Sequence, residues 1–123
     1  MSWGYHLILD CSKCVSFKIR CPQNITNFAK TLVQRIDMVP YGEPQVVHFG
    51  SGDKSGYTLV QLIETSNITA HFCEESDDMY LDVFSCKPFN PKDVEDVVSK
   101  HFFPMYKESR FLIRQAGKQP ELK

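Results

Sequence analysis

The chain has 123 residues, 42% of them hydrophobic and 12% aromatic, enough for one modest two-layer core, and it is read as one domain over residues 1–123. Fourteen Lys and Arg against fifteen Asp and Glu leave a formal net charge of −1, which excludes the broad cationic field that general nucleic-acid binding needs. The aliphatic run Leu7-Ile8-Leu9 is far shorter than the roughly 18 apolar residues of a membrane span or the ~7–15 of a signal-peptide core, so a soluble cytoplasmic protein without membrane contact is expected.

From Trp3 to Asp10, Tyr5, Leu7 and Leu9 alternate with His6, Ile8 and Asp10, the period of two of a strand with one buried face. A cysteine-bearing loop follows. Ile25, Phe28, Ala29, Leu32, Val33 and Ile36 then recur at helical offsets, with Asn24 or Thr26 as the expected N-cap. Pro40, Gly42 and Pro44 break the chain before a short β-prone run, Gln45 to Phe49, and the turn-rich loop Gly50 to Gly56. That loop leads into a strand rather than a helix, so its Gly-x-Gly spacing reads as a hairpin turn and not as a phosphate cradle.

Three close-set strands are predicted at Tyr57 to Glu64, Asn67 to Phe72 and Met79 to Ser85, joined by short polar links that favour antiparallel pairing. Asn90-Pro91-Lys92-Asp93 opens a second helix, with Asn90 as cap, Asp93 in the capping-box position, and Val94, Val97, Val98 and Phe102 as its apolar stripe. Tyr106 to Gln115 is an expected edge strand, and the polar tail from Ala116 to Lys123 has little to order it. The fold class expected is α+β, a two-layer sandwich of about five mainly antiparallel strands with two helices on one face. Apolar residues on both faces of the central strands, such as Leu59, Val60, Leu62 and Ile63, point to a homodimer that stacks or joins sheets.

Cys11, Cys14, Cys21, Cys73 and Cys86 are odd in number and are read as reduced thiols. Cys11-Ser12-Lys13-Cys14 has the spacing of a metal pair, but His6, His48, His71 and His101 provide no matching histidine pair, so no metal is expected. The sequons at Asn24 and Asn67 matter only in an exported protein. Between Glu64 and Cys86 the chemistry is denser: Ser66 at a strand entrance, His71 five residues on, and Cys86 closing the next strand place a hydroxyl, an imidazole and a thiol within reach of convergence. The sequence shows no acid to orient the imidazole and no oxyanion hole, so a hydrolase triad does not follow from these residues.

The run Ser66-Asn67-Ile68-Thr69-Ala70-His71, followed by Tyr80-Leu81-Asp82-Val83-Phe84-Ser85-Cys86, resembles the prokaryotic S-adenosylmethionine decarboxylase family, as do Gly4-Tyr5-His6-Leu7 and the turn Lys54-Ser55-Gly56. The resemblance implies a self-cleaving proenzyme cut between Thr65 and Ser66 into chains 1–65 and 66–123. Ser66 would become a covalent pyruvoyl group and no diffusible cofactor would be needed. Ser55 and His71 match the family's processing pair, and Cys86 matches the thiol that protonates the substrate carbon after decarboxylation. Phe49 matches an aromatic that stacks on the substrate, and Glu75 the acid that binds its ribose.

Thr65 stands where most relatives carry Glu, Asn67 where they carry His, and Cys73-Glu74 where they carry Trp-Pro. Trp3 is a candidate for the missing ring. The function this implies is decarboxylation of S-adenosylmethionine for spermidine synthesis by a homodimer. The alternatives are the same chemistry on a basic amino acid such as arginine or ornithine, held by Asp53, Glu74 or Glu75, and an unprocessed regulatory subunit.

Overall fold

A computed structural model describes residues 2–117. The elements run β1 (Gly4–Ser12), α1 (Ser16–Ile19), α2 (Pro22–Arg35), β2 (Gln45–Phe49), a single 3₁₀ turn (Gly52–Lys54), β3 (Gly56–Ile63), β4 (Ser66–Cys73), β5 (Asp78–Ser85), α3 (Pro91–Phe102) and β6 (Tyr106–Arg114). All six strands join one sheet in the order β2-β3-β4-β5-β1-β6, every pairing antiparallel. The two-layer α+β architecture expected from the sequence is the one observed, with a sixth strand and a third helix added.

Period-two alternation places Leu7, Leu9, Leu59, Ile68, Leu81 and Val83 on one sheet face, where they are buried against Phe28 and Leu32 of α2 and Val98 and Phe102 of α3 in a continuous core. Phe102 stacks edgewise on Phe28 at 4.9 Å, joining the two helices over the sheet. The opposite face carries no helix. There Val47, Phe49, Leu62, Tyr80 and Leu112 remain 42–57% exposed. Among the described residues no helix is long and apolar enough to cross a membrane.

Two helix starts differ from expectation. Helix α2 begins at Pro22, and its cap is Cys21, whose Sγ accepts from the Asn24 backbone N–H at 3.4 Å. The Asn24 side chain instead donates to the carbonyls of Lys18 and His101, tying α1 and α3 together, while Thr26 bonds back to Pro22. An upstream proline with its fixed φ starts the helix one turn earlier than the apolar periodicity shows. At α3, Asn90 caps as expected, but Asp93 turns away from the capping box to pair with Arg35 of α2 at 3.0 Å. The cysteine-bearing segment contains α1, too short for periodicity to reveal. The expected strand end at Gln115 falls at Arg114, and most of the tail from Ala116 lies outside the described residues.

Candidate active site

The strand register builds two clusters at opposite ends of β4. At its C-terminal end His71 stands on the open face, directly across from Thr58 of β3 and Tyr80 of β5. The Thr58 hydroxyl lies 3.1 Å from His71 Nδ1. These three, with Phe49, Cys73 and Glu75, line an open cavity of about 570 Å³, the size of a small-molecule site. Gly56 begins β3 beneath this cavity, where a Cβ would meet the Phe72 carbonyl oxygen at 1.7 Å, so only glycine lets the two strands approach so closely. Partial burial and the nearby Asp78 and Asp10 carboxylates raise the Tyr80 phenol above its usual value.

Asp53 and Glu75 both line the cavity. Glu74 does not. It is held beside it by His48 at 3.0 Å and Arg20 at 3.5 Å, while the Arg20 guanidinium also donates to its backbone carbonyl. Cys73, in the position of the missing aromatic, donates its thiol to the Asp53 carbonyl at 3.3 Å and so anchors the loop between β2 and β3.

At the other end of β4 the chain enters from a two-residue hairpin, Glu64-Thr65, with Ile63 paired to Ser66. The Ser66 hydroxyl accepts from the Cys86 backbone N–H at 3.2 Å, and the Thr65 hydroxyl lies 2.6 Å from Cys86 Sγ and donates to the Glu64 carbonyl. The residues on both sides of the Thr65–Ser66 peptide are therefore held to the end of β5. Beside this cluster a second hollow of about 450 Å³ is floored by Trp3 stacked on Phe84 at 5.6 Å, with the Arg114 guanidinium 5.0 Å from the same ring. Arg114 also donates to His6 Nδ1, which leaves His6 Nε2–H to donate to Asp82 at 3.0 Å.

The structure thus brings Phe49, His71 and Glu75 to one cavity, and Thr65, Ser66 and Cys86 to another point. Five residues of strand, ~16 Å, separate His71 from Ser66, so the hydroxyl, imidazole and thiol do not converge within one chain. The hydroxyl that meets His71 Nδ1 is that of Thr58, while the Ser55 carbonyl accepts from Glu74 N–H. Trp3 lies at the opposite end and opposite side of the sheet from Phe49, so within one chain it cannot supply a ring beside it. Thr58 escapes a motif-led search, but counting residues across the hairpin finds it: with Ile63 opposite Ser66, position 58 must face position 71. Among the described residues no group of three His, Cys, Asp or Glu side chains is placed to hold a metal ion. The Cys11 and Cys14 thiols are buried in the core, and burial pushes both up to about 12.

The chain is thus a helix-backed antiparallel sheet with a cavity on its open face. The family model of S-adenosylmethionine decarboxylase matches residues 5–115, and the chain belongs to that family of carboxy-lyases. The crystal structure of the adenosylmethionine decarboxylase from Aquifex aeolicus VF5 shares its fold, with a TM-score of 0.78 over 96% of this chain and 95% of that one at 18% identity. A comparison with curated proteins finds no match.

Proposed function

We propose that this protein is a pyruvoyl-dependent decarboxylase of S-adenosylmethionine, made by its own cleavage at Ser66 and serving spermidine synthesis in the cytoplasm, where its five free thiols stay reduced. The observation that carries this reading is the clamp of Thr65 and Ser66 on Cys86 at an exposed hairpin. The Cys86 amide holds the Ser66 oxygen close to the bond to be cut. Attack of that oxygen on the Thr65 carbonyl forms an ester and breaks the C–N bond, the hydroxyl proton passing to the released amine. Loss of the Ser66 α-proton then expels the Thr65 carboxylate, and hydration of the resulting unsaturated residue releases ammonia and leaves a ketone. When present, the pyruvoyl carbonyl supplies an electron sink for decarboxylation of an α-amino acid.

The remaining roles fall to the chain's own side chains. Phe49 offers a ring to a flat group, and Glu75 offers a carboxylate to hydroxyls or a cation. Cys86 is the proton donor nearest Ser66. His71, with Nδ1 engaged by Thr58, has Nε2 left to move a proton. Because His71 and Ser66 sit at opposite ends of one strand, a homodimer completes the site. A two-fold axis lying in the sheet plane and across the strands stacks the open faces and sets the His71 end of one chain over the Ser66 end of its partner.

Intact-mass spectrometry of the purified protein beside Ser66→Ala tests the reading. Two fragments meeting at Thr65 and Ser66, the second lighter by one ammonia than simple hydrolysis gives, and an uncut variant are expected. A wild-type chain that stays whole overturns it in favour of an unprocessed regulatory subunit. A second substrate reading has its own support: Asp53 and Glu75 both line the cavity, and Cys73 stands there in place of the aromatic most relatives carry, which suits a basic amino acid. Turnover of arginine or ornithine without turnover of S-adenosylmethionine would transfer the assignment to it.

A further inference from the structure

Five non-glycine residues take a left-handed backbone: Lys13, Asp37, Thr65, Asp77 and Phe103. Of these Thr65 alone is branched at Cβ. In a two-residue hairpin link with positive φ at its second position, that place normally belongs to glycine or asparagine, because a Cβ crowds the neighbouring carbonyl and a branched one does so more. Thr65 nevertheless sits there at φ 60°. Its neighbours account for its staying: Ile63 and Ser66 are paired on either side, Ser66 Oγ is bound to the Cys86 amide, and the Thr65 hydroxyl meets Cys86 Sγ. The strained residue is also the one whose carbonyl carbon belongs to the bond proposed for cleavage.

We propose that Thr65 is the positioning residue of self-cleavage, its left-handed conformation loading the Thr65–Ser66 bond so that the acyl shift is driven forward. The inference rests on the proposed cleavage at Ser66 and deepens it. In the shift, the bond from Ser66 Oγ to the Thr65 carbonyl carbon forms, the C–N bond breaks, and the hydroxyl proton ends on the Ser66 amine, with no change in oxidation state. The hairpin constraint on Thr65 ends with the C–N bond. Once the ester is eliminated Thr65 is a chain terminus, free to leave the left-handed region, so strain held in the intact chain is absent from the product.

The test separates backbone strain from the hydroxyl. Freshly refolded wild-type protein, Thr65→Gly, Thr65→Asn and Thr65→Val are followed by intact mass, and the half-time of cleavage is read. Glycine and asparagine relieve the left-handed strain and are expected to slow cleavage about tenfold. Valine keeps the branched Cβ but loses the hydroxyl held against Cys86 Sγ, and is expected to slow cleavage less than glycine or asparagine does. On the uncleavable Ser66→Ala background, adding Thr65→Asn is expected to raise the melting temperature by about 3 °C. Cleavage of the glycine and asparagine variants at the wild-type rate, a valine variant as slow as they are, or no rise in melting temperature overturns the strain. A wild-type chain that does not cut at all overturns the parent reading instead.

Discussion

At one end of β4, His71 faces an open cavity whose lining is delivered by separate strands: Thr58 from β3, Tyr80 from β5 and Phe49 from β2. At the other end Ser66 leaves a two-residue hairpin and is tied to the Cys86 backbone. In the first region cross-strand register sets the positions, so side chains can be exchanged without moving the frame. In the second, backbone conformation sets them, and the bond proposed for cleavage is itself part of the frame. On the proposed reading one end serves recognition and proton handling and the other bond cleavage, so that neither is a whole site.

The comparison breaks most sharply if either end works alone. His71→Ala is expected to lower processing or turnover by at least ~100-fold, the size of a lost general acid or base, while leaving the hairpin intact. Ser66→Ala removes the other end. Mixing the two inactive variants during refolding is the decisive form of the experiment. If each site takes Ser66 from one chain and His71 from its partner, half of the randomly formed dimers hold one intact site, and about a quarter of wild-type activity returns. Activity that stays at the level of the separate variants would show that the ends do not meet across a dimer.

A smaller effect sharpens the recognition end. Removing the Thr58 hydroxyl frees His71 Nδ1, and the loss of one hydrogen bond of about 1 kcal/mol corresponds to roughly fivefold in rate for Thr58→Ala. Ser55→Ala is expected to change the same rate by less than about twofold, since the structure gives Ser55 a backbone contact in the β2–β3 loop rather than a hydroxyl contact with His71. Processing half-times for the two variants side by side decide it, and a larger effect at Ser55 restores the pairing implied by family resemblance.

The same contrast explains what the sequence made legible. Alternation and helical offsets marked the central strands and both long helices, because each buries one face of a periodic element, whereas the edge strands β2 and β6 bury none and were marked by composition alone, and short links between the central strands implied their antiparallel order. The motif from Ser66 to Cys86 marked the chemistry. What it could not mark was separation. Ser66 and His71 are close in sequence but lie in one extended strand, which keeps them ~16 Å apart, where a helix or turn would have brought them together. The match of Lys54-Ser55-Gly56 to a family turn does not mark Thr58, which the hairpin register sets opposite His71. Caps were similarly hidden: Cys21 is a rare acceptor at a helix start, and Asp93 had a stronger partner in Arg35 on another helix.

The thiols extend the comparison to stability. Cys73 and Cys86, one at each end of β4, are half-buried, whereas Cys11 and Cys14 lie in the core under the helices. Burial raises the Cys11 and Cys14 pKa from 9.0 to about 12, so the folded chain keeps their protons where the unfolded chain gives them up. Below pH 9 both states hold the protons and the full stability is present. Between pH 9 and 12 only the unfolded thiols ionise, and stability falls by up to ~1.4 kcal/mol per thiol for each pH unit. Thermal melts of Ser66→Ala protein, which stays a single chain, are therefore expected to be level from pH 7 to 8.5 and to drop above it. The Cys11→Ala/Cys14→Ala pair in the same background is expected to start lower, for want of two buried side chains, and to drop less steeply. An equally steep drop in that variant would place the alkaline sensitivity outside the core thiols, with the raised Tyr80 phenol at the cavity end as the next group to replace.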